Sequence, residues 1–267
     1  MGTAGVSAGG GGVVWNDPDL ANASYDSVSF SPAGNISDIY FKPDGLNLFT
    51  NNNFGNDINN YSLSTAWDLS TASFSSSLTV TDPISLTFKP DGTKLYYINN
   101  TNDSIYQISL STAWDLSSAG TAVLGEPVVG TIVRGVLFSS DGTKMYASDF
   151  AGKQIEQFNL STAWDISSPS ASSTPTSTFS TSSEATNPFL YGFNPDGTKM
   201  WVTDNFTDAI YEYSLSTAWS ISSASYSNIS FDLSSQDSVP LGGTFKNDGS
   251  KMYVVGGTND DIFQYST

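Results

Sequence analysis

The chain has 267 residues, of which 38% are hydrophobic and 13% aromatic. This is enough apolar material for a folded core and too much for a disordered chain. A formal net charge of −17, from nine basic and 26 acidic residues, argues against nucleic-acid binding and against anionic membrane surfaces. Histidine and cysteine are absent, which excludes disulfides and thiolate metal sites and removes the commonest general base.

Residues 1–12 are glycine-rich and predict a tail separate from the folded domain, which we place at residues 13–267. The tail could anchor the protein in a larger assembly or fold back on its own domain. It lacks the basic and apolar regions of a signal peptide. No stretch reaches the ~18 apolar residues of a membrane span, so we expect no membrane insertion.

From residue 13 onward, one phrase recurs about every 50 residues: a Phe that ends a short strand, followed by a turn with Asp-Gly. Gly supplies a positive φ and Asp tolerates the turn, which predicts a hairpin. The phrase occurs five times, with its Phe at Phe41, Phe88, Phe138, Phe193 and Phe245.

Each of the first four hairpins is followed by a third strand, by the phrase Leu-Ser-Thr-Ala-Trp with Asp or Ser next, and by a fourth strand rich in Ser and Thr. Four antiparallel strands in a repeat of ~40–50 residues are typical of a β-propeller blade. The fifth repeat stops at Thr267, inside this phrase, and residues 15–30 resemble the missing half. We therefore predict an all-β, five-bladed propeller of four-stranded antiparallel blades, in which the N-terminal segment supplies the outer strand of the last blade.

The segment Phe88–Ile98, with the sequence FKPDGTKLYYI, resembles the propeller repeats of the YVTN and surface-layer type. The Leu-Ser-Thr-Ala-Trp-Asp-Leu-Ser extension resembles a variant found in phage virion and environmental bacterial proteins. The resemblance covers nearly the whole chain past residue 13 and implies the propeller fold. Propellers of the YVTN type often have more than five blades, and such repeats serve many functions.

The repeated corner motif is interpreted as architecture. Its Trp recurs at Trp67, Trp114, Trp164 and Trp219. This regular recurrence favours packing between blades over a set of aromatic side chains that stack on sugars. The Asp after Trp favours a turn cap, and Ser220 replaces it in the fourth copy. Seven of the nine basic residues recur beside the hairpin turn and are also interpreted as architectural: Lys42, Lys89, Lys94, Lys144, Lys199, Lys246 and Lys251.

If the first strand of each blade is innermost, the hairpin turn and the Trp corner share one face of the ring. The loops between second and third strands lie on the opposite face and differ between blades, which favours a specific task there. Amides, short carboxylates and protruding Phe rings suit a hydroxyl-rich ligand, although the same residues also simply form good loops. The candidate ligand-binding residues are Asn53, Phe54, Asn100, Asn102, Arg134, Asp149, Phe150, Asp204, Phe206 and Asn259.

An enzyme on this fold, such as a glycoside hydrolase, would need paired carboxylates about 5 to 9.5 Å apart around the axis. The available acids are Asp38, Asp149, Glu156, Asp204 and Asp208, with Arg134 as a cationic helper. Asp38 alone lies near an innermost strand, and we expect no enzyme activity. The segment Asp204–Asp208 fails the EF-hand pattern at its glycine and terminal glutamate, so we predict neither a metal nor a cofactor.

We expect a non-enzymatic virion structural protein, such as a phage decoration, fibre or tail-associated propeller, with attachment to a host surface as an additional role. Its partners would be other virion or surface-assembly proteins, bound through the tail, and host-surface glycans. Its location would be the virion or the outside of a cell. A lectin-like glycan-binding module is the alternative, and a glycoside hydrolase is a third interpretation.

Overall fold

The computed structural model describes residues 14–125, 130, 132–167 and 174–267. Within these residues, twenty strands form five four-stranded antiparallel sheets. The sheets are arranged around an axis on which the first strand of each blade contacts the first strands of its neighbours. This confirms the five-bladed propeller. The predicted tail, residues 1–12, lies outside the described residues.

The strands follow in chain order. The first, β1, is Ser24–Phe30. Blade one contains β2 (Ile39–Phe41), β3 (Asn47–Asn52), β4 (Asp57–Leu63) and β5 (Ala72–Thr79). Blade two contains β6 (Pro83–Phe88), β7 (Lys94–Asn99), β8 (Ser104–Ser109) and β9 (Val123–Leu124). Blade three contains β10 (Val133–Phe138), β11 (Lys144–Asp149), β12 (Gln154–Asn159) and β13 (Ser177–Ser180). Blade four contains β14 (Pro188–Phe193), β15 (Lys199–Asp204), β16 (Ala209–Leu215) and β17 (Ala224–Asp232). Blade five contains β18 (Pro240–Phe245), β19 (Lys251–Gly256) and β20 (Asp261–Ser266).

The helices of the described chain are single 3-10 turns of three residues: Leu20–Asn22, Leu69–Thr71, Leu116–Ser118 and Ile221–Ser223. Three of them follow a Trp corner. The carboxylate of Asp68 accepts a hydrogen bond from the Ser70 amide at 3.0 Å, which is the turn-capping role predicted for the corner Asp. None of the described helices has the length and apolar character that crossing a membrane requires.

The chain closes the ring by pairing its two ends. β1 pairs antiparallel with β20, from Ser24 opposite Ser266 to Phe30 opposite Ile262, and becomes the outer strand of blade five. The Asp26 carboxylate fixes this pairing by accepting a hydrogen bond from the Lys251 ammonium at 2.7 Å and another from the Ser266 hydroxyl at 2.6 Å. The predicted closure is confirmed, and it pairs one edge of β20 that would otherwise be open.

The hydrophobic core lies between neighbouring blades. One cluster joins Ile84 and Tyr96 of blade two to Val136 and Met145 of blade three, all less than 8% exposed. The inner three strands are buried on both sides, whereas the outer strands alternate between half-buried and exposed positions, as in β17. This alternation arises because only one side of an outer strand packs against a neighbouring blade.

The Trp corner packs against the hairpin turn of its own blade. Gly45 has a φ of +73°, and a Cβ at this position would lie 2.2 Å from the Trp67 indole, so the turn requires glycine for both conformation and space. The Trp67 ring also packs on Phe41 of the same blade and on Tyr253 of the preceding blade, with centroids 4.9 and 6.4 Å away. The architectural interpretation of the motif is therefore confirmed.

The fifth corner is built differently. Trp15, in the segment 15–30 that was predicted to supply the missing half of the fifth repeat, packs on Phe245 and on Trp201, at 6.2 and 6.4 Å. However, the backbone amide of Asn16, rather than that of the Trp, donates to the hairpin turn, at the Asp248 carbonyl. The N-terminal segment thus supplies the indole through a different local backbone, because it enters from the opposite end of the chain.

The lysines beside the turns have structural partners, as predicted. Lys42, Lys89 and Lys246 each form an ion pair with the Asp two residues later in the same turn, at 2.7–2.8 Å. Lys94 and Lys144 donate to the carbonyl oxygens of Trp164 and Trp219 in the next blade, each at 2.8 Å. These lysine side chains therefore stabilise the propeller scaffold.

Candidate functional site

We call the side of the ring with the loops between second and third strands the loop face, and the side with the hairpin turns and Trp corners the turn face. On the loop face, a loop amide in four of the five blades donates to a carbonyl of the link that leads into its own blade: Asn53 to Asn35, Asn100 to Asp82, Phe150 to Ile132 and Gly257 to Val239, at 2.8–3.0 Å. The loops and the links between blades therefore share one face. The hydrogen bonds hold the loops in place.

An Asn or Asp at the end of each second strand fixes the following loop in four blades. Asn52, Asn99 and Asp149 each accept a hydrogen bond from a loop amide two or three residues later, at 2.8–3.0 Å. Asp204 does the same and also accepts from the amides of Thr186 and Asn187 at 3.1 and 3.0 Å. Blade five has Gly256 at this position.

Asp204 and Asp149 were predicted as ligand-binding residues, and the structure places both inside the scaffold. Asp204 is fully buried, and its oxygens also receive the Phe206 amide and the Thr207 hydroxyl, at 3.1 and 3.0 Å. Asp149 is 6% exposed. Carboxylate oxygens that already accept several hydrogen bonds gain little from a further ligand. The described residues contain no group of three or more acids that could hold a metal ion.

Two of the three predicted Phe rings protrude from the loop face. Phe54 is 82% exposed and Phe206 is 73% exposed, on blades one and four. Rings this exposed contribute little to the stability of the fold, because they remove little apolar surface from water. They are therefore the residues on this face that are most available to a partner.

Phe150 differs from these two rings, and the expectation that it protrudes is wrong. It is half-buried, and its ring meets the edge of Phe189 near the axis with centroids 6.0 Å apart. The guanidinium of Arg134 lies 5.9 Å from the same ring. The Phe150 ring thus packs against residues of the innermost strands β10 and β14. Phe54 and Phe206 have no such contacts among the described ring pairs.

Arg134 lies at the start of an innermost strand, close to the axis. It donates to the Val133 carbonyl at 2.8 Å. Burial lowers the pKa of its guanidinium, while the carboxylates of Asp103 and Asp82 act in the opposite direction. The structure thus brings Arg134 and Phe150, both of blade three, together in half-buried positions.

The predicted amides are divided between scaffold and surface. The Asn53 side chain donates to Asp82 at 2.7 Å and the Asn102 side chain donates to Tyr106 at 2.9 Å. Asn100 is half-buried, and Asn259 is exposed. Asp82, which the sequence analysis did not single out, accepts from both Asn53 and Thr101 and so joins the loops of two blades. Its place directly before Pro83, in a link between blades, was the available signal.

Asp38 lies on the axis, as its position before an innermost strand predicted. It borders a small central cavity, too narrow to admit a water molecule, whose lining also includes Ser85 and Gly242. Its carboxylate accepts from the Ser85 hydroxyl at 2.6 Å and from the amides of Ile39 and Leu86 at 2.9 and 3.2 Å. Burial raises the pKa of Asp38 to about 7, although these hydrogen bonds favour the carboxylate.

A second acid with a raised pKa is Glu156 in blade three, and the cause is again burial. The Gln154 amide group donates to Glu156 at 3.0 Å and lies 3.5 Å from an oxygen of Asp149. These two acids therefore form a pair within one blade, 4% and 6% exposed. The structure does not place them in the lining of the axial cavity with Asp38.

The sequence matches no protein-family model, and no curated protein matches it. In structure, the chain is similar to hydrazine synthase of Kuenenia stuttgartiensis, with 12% identity over 91% of this chain and 99% of that one and a TM-score of 0.51. It is also similar to a protein of unknown function from Desulfotomaculum acetoxidans (14% identity, 84% and 64% covered, TM-score 0.49). A periplasmic gluconolactonase of Pseudomonas aeruginosa gives similar values (15%, 82% and 64%, 0.49).

The chain thus spans less than two thirds of the length of the last two proteins. At 12% identity, the likeness to hydrazine synthase concerns the fold alone.

Proposed function

We propose that this chain is a non-catalytic recognition module that binds carbohydrate-rich surfaces through its loop face. The observation that supports this function is the exposure of the Phe54 and Phe206 rings on the face where the repeats differ. A sugar ring can stack its apolar side on an exposed aromatic ring, while amides and carboxylates around it bind the hydroxyl groups. The exposed Asn259 and the loops that carry the two rings offer such groups.

The shape of the loop face favours an extended ligand over a small molecule. The two exposed rings lie on blades one and four, which blade five separates, so a ligand must span part of the ring to contact both. The axial cavity is too narrow to admit a water molecule, whereas ordinary small-molecule sites enclose several hundred cubic ångströms. A polymer or a cell surface can contact several loops at once and gain affinity from their number.

The proposal of a non-catalytic role is supported by the surroundings of the acids. Asp38 accepts hydrogen bonds from Ser85, Ile39 and Leu86. Its carboxylate oxygens therefore bind groups of blades one and two at the joint between them. Asp204 is enclosed by four donors. Glycoside hydrolysis needs a pair of acids on either side of the scissile bond, and the lining of the axial cavity includes Asp38 as its one acid.

The biological setting that we propose is a virion or a cell-surface assembly, in which the glycine-rich residues 1–12 attach the propeller to other proteins. The support is the resemblance of the repeated phrase to phage virion proteins. The side chains repeated on the turn face bond to one another within the scaffold. We therefore propose the loop face as the surface that binds a target. In such a role, the propeller would present the loop face to the host surface.

Glycan-array binding of the wild type and of Phe54→Ala and Phe206→Ala tests the proposed function. We expect binding that falls by at least about fivefold in each variant, because each loses a stacking surface. Phe74→Ala is the matched control, because Phe74 is 61% exposed but lies on the outer strand β5, away from the loop face. No binding by the wild type to any glycan, or equal losses in all three variants, would contradict the proposal.

A further inference from the structure

The acidic charge of this protein is divided unequally between its two faces. Every ion pair found within the described residues lies on the turn face or between blades beside it. Lys251 pairs with Asp26, and Lys199 pairs with Glu212 at 3.1 Å. The basic residues therefore neutralise much of the turn face.

The loop face has a large excess of acids over bases. In the described loops, links and strand ends of this face, the basic residues are Arg134 and Lys153. The acids there, apart from Asp38 with its raised pKa, are Asp57, Asp82, Asp103, Asp149, Glu184, Asp204, Asp208, Asp232, Asp237, Asp260 and Asp261. Charges of one sign on one face produce a potential that attracts ligands of the opposite sign and repels those of the same sign.

Each exposed Phe ring has one of these acids on its own loop. Asp208 follows Phe206 by two residues, and Asp57 follows Phe54 by three. Both carboxylates are half-buried, and the Asp57 carboxylate also accepts from the Thr79 hydroxyl at 3.1 Å. An exposed aromatic ring and a carboxylate two or three residues later in the sequence thus occur together on two blades.

We infer that the glycan bound by the loop face is cationic, a polymer whose sugar rings carry free amino groups. This inference rests on the proposed function. The Phe ring stacks on the sugar, the carboxylate pairs with the ammonium group, and the potential of the face draws the polymer in. Acidic glycans and anionic lipid surfaces are repelled by the same charges.

Titration calorimetry with glucosamine hexamer and N-acetylglucosamine hexamer tests the inference, because the two ligands share a backbone and differ in charge. The buffer is mildly acidic, so that the amino groups of the glucosamine hexamer are protonated. We expect the glucosamine hexamer to bind at least about tenfold more tightly, and its advantage to shrink as salt rises. Equal binding of the two hexamers would overturn the inference and leave the proposed function intact.

The double variant Asp57→Asn/Asp208→Asn locates the charge effect. Asp208 has a φ of +54°, a conformation that Asn tolerates, and Asn56 occupies the equivalent position in blade one with a φ of +56°. We expect binding of the glucosamine hexamer to weaken about fivefold. The matched control is Asp141→Asn/Asp196→Asn, which removes the same charge from the turn face and should leave affinity unchanged. Equal effects of the two variants would contradict the inference.

Polylysine separates sugar recognition from attraction to positive charge alone. We expect Phe54→Ala/Phe206→Ala to weaken the glucosamine hexamer and to leave polylysine binding unchanged. Polylysine that binds as tightly as the hexamer, with neither ligand affected by the Phe variant, would overturn the inference in favour of a basic protein partner. Failure of both hexamers to bind, while the array shows binding of other glycans, would overturn the inference alone.

Discussion

The hydroxyl of Tyr253 donates a hydrogen bond of 2.7 Å to the carbonyl oxygen of Trp67, across the joint where blade five meets blade one. The same contact joins blade two to three, from Tyr96 to Trp164, and blade three to four, from Tyr146 to Trp219. A Trp in the left-handed conformation presents its carbonyl to the next blade in each case. The Trp corner therefore accepts a hydrogen bond from the neighbouring blade, and it also packs against the hairpin turn of its own blade.

Tyr253→Phe should destabilise the protein more than the equivalent changes at Tyr96 and Tyr146. In the latter two joints, Lys94 and Lys144 also donate to the Trp carbonyl, so the oxygen keeps a partner. In the closing joint, Lys251 is directed to Asp26 instead. We expect Tyr253→Phe to lower the free energy of unfolding by ~1–3 kcal/mol, because the partly buried Trp67 carbonyl loses its donor, as measured by urea denaturation.

The control for this change is Tyr211→Phe, which removes an exposed hydrogen bond to Thr207 and should cost less than ~0.5 kcal/mol. Equal losses for Tyr253→Phe and Tyr96→Phe would show that the lysine does not replace the tyrosine.

Asp38→Asn should change how stability depends on pH. The pKa of Asp38 is about 7 in the folded chain against 3.8 for an ordinary Asp, so the folded state binds its proton more tightly. The contribution of this group to the free energy of unfolding is therefore largest below pH 3.8 and decreases as the pH rises to about 7. Carboxyl groups with a lowered pKa, such as Asp91 at about 2, change stability below this window.

Urea denaturation of the wild type and of Asp38→Asn from pH 4 to 8 measures this difference. We expect the wild type to lose more stability across the window than the variant. Glu156, whose pKa is also raised by burial, acts in both proteins and cancels in the comparison. Parallel curves for the two proteins would show that Asp38 titrates at an ordinary pH.

Asp237 and Gly256 should behave as a coupled pair. Gly256 stands where the other blades carry the Asn or Asp that caps the loop, and a Cβ there would lie 2.5 Å from the Asp237 carboxyl carbon. Asp237 enters this space from the preceding link and accepts from the amides of Val239 and Thr258 at 2.7 and 3.2 Å. A carboxylate from another part of the chain thus replaces the missing cap.

We expect Asp237→Ala to cost ~1–3 kcal/mol, because two amides lose their acceptor, and Gly256→Asp to be destabilising through its clash. The double variant should recover most of the loss, because an Asp at position 256 can cap the loop as Asp204 does. Urea denaturation of all four proteins gives the coupling energy. Additive losses would refute the replacement.

Deletion of residues 1–12 should leave the propeller folded and abolish its incorporation into the assembly that we propose. The first described contacts of the chain with the ring begin at Trp15, beyond the deleted segment. Circular dichroism and thermal unfolding check the fold, and co-purification with the assembly checks incorporation. Unimpaired incorporation would count against an anchor in this tail.

The sequence was sufficient to predict the strands, the turns and the number of blades, because these depend on a local motif that recurs five times in the chain. An Asp-Gly turn needs a positive φ wherever it occurs, and a repeat broken at Thr267 and resumed at Trp15 can be joined only by closing the ring. The Phe rings show the limit of this reasoning. Phe54, Phe150 and Phe206 occupy similar loops, yet the contacts of Phe150 with Phe189 and Arg134 turn one of the three inward.

Only the tertiary structure decided which polar groups of the loop face are already occupied. Asp204 and Asp208 look alike in the sequence, but the first is enclosed by donors from a link some eighteen residues earlier, at Thr186 and Asn187. Likewise, Asp237 takes over a capping role from a position occupied by Gly256. Hydrogen bonds between distant residues depend on how the blades meet, and this arrangement is not a local property of the chain.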